Sequence, residues 1–88
     1  LYFMQLNPKA LGLTLGVLGG AFWSAAMMFS LLTGFGEQTL TTLGSWHPFF
    51  SYSISGMVVI VIEHFVAGFI AGWIFAALYN KFNKPSAV

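Results

Sequence analysis

Two long apolar stretches divide the chain, residues 10–32 and 54–79, and the only acidic or basic side chains inside either are the adjacent Glu63 and His64. At about 1.5 Å of rise per residue, each stretch is long enough as a helix to cross a hydrocarbon core of ~30 Å. Asn7-Pro8 opens the first as N-cap and first-turn proline, and the glycines of Thr33-Gly34-Phe35-Gly36 end it. In the connector, 33–55, Glu37 to Leu43 reads as a short interfacial helix. Glu37 sits in its first turn, where the dipole favours an acid, Leu40 and Leu43 share its apolar side, and Gly44 closes it. Phe35, Trp46, Phe49, Phe50 and Tyr52 form an aromatic cluster of the kind found at headgroup depth, and Pro48 holds His47 extended. Asn80, Lys81 and Lys84 start a tail, 80–88, before Pro85. The pattern therefore predicts an all-α membrane protein: a two-span transmembrane hairpin with a short interfacial connector.

Small residues recur along both stretches. Gly12, Gly16, Gly20 and Ser24 follow one another every four residues, as do Gly68, Gly72 and Ala76, with His64 one turn before them and Asn80 one turn after. Ala67 and Ala71 continue a parallel row from Glu63. Lipid tails are as apolar as leucine, so spans associate through close backbone packing and interhelical hydrogen bonds, and small residues permit that approach. The rows predict a tight contact, within the hairpin or between subunits. Successive helical residues point about 100° apart, so His64 looks into the glycine row while Glu63 borders it.

Composition supports the membrane class. Hydrophobic residues make up 58% of the 88 and charged residues 6%, too few to solvate a water-soluble domain. The net charge is +1, with no arginine, which argues against a nucleic-acid surface. There is no cysteine, hence no disulfide or thiolate site. Lys9 precedes the first span, Lys81 and Lys84 follow the second, and the connector has no basic residue. By the positive-inside rule both termini are expected in the cytoplasm. The first stretch exceeds the ~7–15 residues of a signal-peptide core, so a retained span is expected. Leu1-Tyr2-Phe3 reads as a protease-tag remnant before Met4, leaving 4–88 as a single membrane domain.

Glu63 and His64 carry the candidate chemistry. A charge near the bilayer centre costs roughly 2.5–3.5 kcal/mol on insertion scales, so such groups usually face a partner, a cavity or an ion path. For Glu63 a neutral acid hydrogen-bonded to a neighbouring helix competes with a proton- or cation-handling group. For His64 an interhelical hydrogen bond competes with metal or haem ligation, and His47 reads as an interfacial residue. Thioether and imidazole suit Cu(I), which makes Met27, Met28, Met57, His47 and His64 a copper set in principle, but methionine also fills gaps and no Met-x-x-Met or His-x-His cluster is present. No cofactor or metal site is assigned. No nucleophile-elbow, Walker or zincin motif occurs, so an enzyme is not expected.

The opening Leu6-Asn7-Pro8-Lys9-Ala10-Leu11-Gly12-Leu13, the run Phe65-Val66-Ala67-Gly68-Phe69-Ile70-Ala71-Gly72 and Ala77-Leu78-Tyr79-Asn80 resemble very small two-span bacterial membrane proteins loosely labelled phage-holin-like. The resemblance covers both spans and implies a bacterial inner-membrane hairpin. In that pattern the second span carries an acid at the position of Ala67; here the acid stands one turn earlier, at Glu63, and a histidine replaces a glycine.

A two-helix hairpin cannot enclose a polar path, so a homo-oligomer in the lipid bilayer is expected. The leading expectation is a proton or small-cation channel or transporter using Glu63 and His64. The alternatives are a non-transport accessory subunit docking another membrane protein, and a holin-like lesion former.

Overall fold

A computed structural model describes residues 4–84, which form three helices: α1 (Pro8–Thr33), α2 (Glu37–Gly44) and α3 (Ile54–Phe82). Residues 1–3, read above as a tag remnant, and residues 85–88 lie outside the described residues. Each helix end has a local cause. The Asn7 side chain accepts a hydrogen bond from the Ala10 N–H at 3.0 Å, and Pro8 stands in the first turn. Gly34, at φ 77°, ends α1 and donates its N–H to the Ser30 carbonyl, the left-handed cap that glycine adopts without strain. Ser53 caps α3 by accepting from the Gly56 N–H at 3.2 Å. Both long helices run past the apolar stretches, because a helix needs backbone bonds, not apolar side chains, to continue. α3 accordingly carries Lys81 in its last turn, where the dipole favours a cation.

α1 and α3 form an antiparallel hairpin, and the two small-residue rows meet inside it. A Cβ placed on Gly12 or Gly16 would stand 2.8 Å from the carbonyl oxygen of Phe69 or Phe65. One on Gly68 or Gly72 would stand 2.6 or 2.7 Å from that of Leu15 or Leu11. Steps of four along one helix match steps of four along the other, so the backbones touch over several turns. The glycine hydrogens in the Cβ direction face carbonyls across the interface, a weak but recurrent contact in helix pairs.

Beyond Gly20 the interface changes character. The buried positions of α1 run Gly12, Gly16, Gly20, Trp23, Met27 and Ser30, so the contact passes through Trp23, and the expected Ser24 is only partly buried. A strict four-residue row drifts around a 3.6-residue helix, and a three-residue step returns it to the contact face. Met27 and Ile60 are fully buried, and Trp23 nearly so. Leu40 and Leu43 of α2, then Phe50 and Tyr52, fold back from the connector and pack on this cluster.

The fold-back divides the expected aromatic cluster. Phe35, Trp46 and Phe49 are exposed, whereas Phe50 and Tyr52 turn inward. The Phe50 ring lies directly over Gly44, in the space a side chain there would need. Tyr52 shares a 2.6 Å hydroxyl–hydroxyl hydrogen bond with Ser30, itself buried. At the opposite end Asn80 pairs with the backbone of Leu6, accepting from its N–H and donating to its carbonyl, both at 2.7 Å. Asn83 donates to the Met4 carbonyl at 2.8 Å.

The result is a rod of 59 × 21 × 18 Å. Only 28% of the most apolar window of α1 and 11% of that of α3 are buried within the chain. Val58, Ile62, Val66, Ile70, Ile74 and Leu78 all point outward. A core helix of a soluble protein hides its apolar residues; these two leave theirs uncovered. Both are long and apolar enough to cross a membrane and are compatible with a membrane protein.

Candidate functional site

The glycine contact positions the site. Gly19 and Gly20 lie opposite the first turns of the α3 contact, and a Cβ on Gly19 would come within 3.3 Å of the His64 carbonyl oxygen and 3.7 Å of its Cβ. This close approach brings the His64 ring beside Trp23, with ring centres 4.8 Å apart. The connector then adds a third ring. His47, just past α2, lies with its centre 4.8 Å from that of His64 and 5.9 Å from that of Trp23. One residue from each of three segments thus meets at the point where the backbone contact gives way to side-chain packing.

Both imidazoles are held by the same device. Nδ1 of His47 lies 3.0 Å from the Leu43 carbonyl, and Nδ1 of His64 lies 3.0 Å from the Ile60 carbonyl. A carbonyl can only accept, so each Nδ1 carries the hydrogen and Nε2 is left as the basic nitrogen in the neutral ring. These bonds also set the ring directions, since each reaches back one helical turn.

Glu63 lies beside this cluster on the adjacent row. Val59 and Glu63 are partly covered, whereas Ala67 and Ala71 farther along the row are exposed. One carboxyl oxygen, Oε1, is buried and has no hydrogen-bond partner among the described residues. Among the described residues, Oε1 of Glu63 thus makes no hydrogen bond to a neighbouring helix. A buried polar oxygen without a partner costs on the order of 1–3 kcal/mol, more when charged, and such a group calls for an explanation.

The remaining candidates separate. Met27 is enclosed with Trp23 and Ile60, Met57 packs at the edge of the core, and Met28 points outward. Among the described residues no three acidic or histidine side chains gather as a metal site. A shallow hollow lined by Gly34, Gly36, Glu37 and the threonines of α2 is open to the outside. It includes neither Glu63 nor either histidine.

The roles of Trp23, His47 and Tyr52 in this arrangement were not visible from four-residue spacing. The mixed three-and-four stripe Gly16, Gly20, Trp23, Met27, Ser30 is the sequence signal that would have found the first. Nothing local marks His47 as a partner of His64. No family model, curated protein or solved structure matches this chain.

Proposed function

We propose that this chain is a two-span protein of the bacterial inner membrane, with both termini cytoplasmic, that assembles with copies of itself and handles protons or small cations through Glu63 and His64. The observation that carries this reading is the buried, unpartnered Oε1 of Glu63 next to an imidazole whose Nδ1 is committed to the Ile60 carbonyl. An acid whose oxygen is not used to hold the hairpin together is free to take and release a proton or to meet a cation. His64 Nε2 supplies a second basic atom nearby. The packing of both glycine rows inside one chain leaves self-assembly to other faces, and the exposed Ala67–Ala71 row leading to Glu63 is the small-residue surface that suits it.

Glu63→Gln keeps shape and hydrogen bonding but cannot ionise, while Glu63→Leu removes both. In proteoliposomes, Gln is expected to abolish proton or cation flux with the assembly intact. Wild-type liposomes without flux across a range of pH and cations would end the transport reading. The same exposed alanine row also supports a second reading, a non-transport accessory subunit that docks another membrane protein. In that case Glu63→Gln is nearly silent and Leu alone disturbs assembly, by about 0.6–1.7 kcal/mol for a lost interhelical hydrogen bond.

A further inference from the structure

We propose that two adjoining hollows beside α2 form one binding site for a phospholipid whose headgroup ends in a primary ammonium, such as phosphatidylethanolamine. One hollow, of about 540 Å³, is mostly polar and runs from Gly34 past Glu37 to Thr41 and Thr42. The other, of about 310 Å³, is almost wholly apolar and is lined by Ala26, Phe29, Phe35 and Leu40. Gly36 and Thr39 belong to both, so the two adjoin. Each has a volume within the ~300–1,000 Å³ usual for small-ligand sites.

The order of the hollows along the chain matches that of a lipid. Ala26 and Phe29 stand within the apolar stretch 10–32, and the polar hollow begins at Gly34, where that stretch has ended. An acyl chain in the apolar hollow therefore lies toward the bilayer interior, with the headgroup at its edge, as a ~30 Å hydrocarbon core requires. Phe29 and Phe35 build one wall, their ring centres 6.0 Å apart and edge toward face. These rings are 56% and 74% exposed in the single chain, which leaves apolar surface for the acyl chain to cover. Gly36 sits where the hollows join, at φ 77°, with open space where a Cβ would stand. Its lack of a side chain keeps the passage clear.

Charge selects the headgroup. Glu37 lines the polar hollow and is the connector's only acidic residue. No lysine or arginine occurs between residues 10 and 80, so this end of the hairpin offers neither to an anionic headgroup. A carboxylate accepts charge-assisted hydrogen bonds from an ammonium. A primary ammonium has hydrogens to give, whereas a trimethylammonium has none. Thr39 and Thr41 bring hydroxyls to the same hollow, and a hydroxyl can donate to the phosphate. The site rests on the bilayer placement proposed above and not on ion conduction.

The test is native mass spectrometry of the full chain released from nanodiscs holding phosphatidylethanolamine and phosphatidylcholine in equal parts, with the same acyl chains. Two zwitterionic lipids are compared because an anionic one would also be drawn to Lys9, Lys81 and Lys84 at the opposite end. The wild type should retain phosphatidylethanolamine over phosphatidylcholine by at least about twofold, the low end for one net hydrogen bond. Glu37→Met keeps a long side chain without the carboxylate, and the preference should vanish. Ala26→Leu fills the apolar hollow and should lower retention of both lipids alike. Both positions lie outside the backbone contact of α1 with α3, so the hairpin should form in both variants, which circular dichroism checks. Equal retention by the wild type would overturn the site and leave annular lipid only. So would a preference that survives Glu37→Met, or wild-type retention of both lipids in Ala26→Leu. A chain that stays out of the nanodiscs would instead overturn the bilayer placement, and the site with it.

Discussion

A Cβ on Gly68 would stand 2.6 Å from the carbonyl oxygen of Leu15 and 2.8 Å from its carbonyl carbon, so at this level α1 and α3 meet backbone to backbone. Nothing at that contact can rotate away. Gly20 is different, for its added Cβ would meet the flexible end of Val61 at 3.5 Å, an ordinary van der Waals distance.

The glycines should therefore differ in their tolerance of a single methyl group. Gly68→Ala and Gly72→Ala should destabilise the hairpin by about 1–3 kcal/mol, the usual cost of overpacking. Gly20→Ala should be close to neutral. Reversible unfolding in mixed micelles measures all three, and equal effects at Gly68 and Gly20 would contradict the register of the contact.

Tyr52 and Ser30 are 22 residues apart and share one hydrogen bond, with Ser30 almost wholly enclosed. Tyr52→Phe should cost about 0.6–1.7 kcal/mol and Ser30→Ala a comparable amount. The double variant should cost clearly less than the two single effects added together, since both remove the same bond. Additive effects would mean that the two hydroxyls do not hold each other.

Asn80 clamps the segment before α1 by bonding both backbone groups of Leu6. Asn80→Ala should free residues 4–7, raising exchange of the Leu6 amide at least about tenfold, the equivalent of ~1.4 kcal/mol. Asn80→Asp keeps the acceptor and should preserve the Leu6 amide better than Ala does. An unchanged Leu6 amide in Asn80→Ala would remove the clamp from the description.

The proposed orientation rests on Lys9, Lys81 and Lys84. A reporter fused after Val88 should behave as cytoplasmic, and one inserted near Gln38 as external. The reverse result would turn the hairpin over and place Glu63 and His64 nearer the cytoplasmic side.

Much of the fold was legible because its causes are local. Charge-free stretches of sufficient length, the Asn7-Pro8 and Ser53 helix starts, and the glycines that end α1 and open α2 act through neighbours in the chain. The short helix read at Glu37 to Leu43 is present as α2, Glu37–Gly44, for the same reason. Ser24 lies on the four-residue row but is only partly buried, because the partner helix determines where a drifting row must step back to Trp23.

By itself the sequence determined two apolar helices, their ends, the small-residue rows that let them approach, and an acid–imidazole pair bordering that contact. Each depends on side-chain size, hydropathy or a capping group within a few residues. Only the tertiary structure decided that both glycine rows are consumed in one hairpin, that the connector folds back over Met27 and Ile60, and that His47 reaches His64 and Trp23. Those outcomes depend on the antiparallel register of α1 against α3 and on the space left where glycine gives way to tryptophan, and neither is a property of any local stretch.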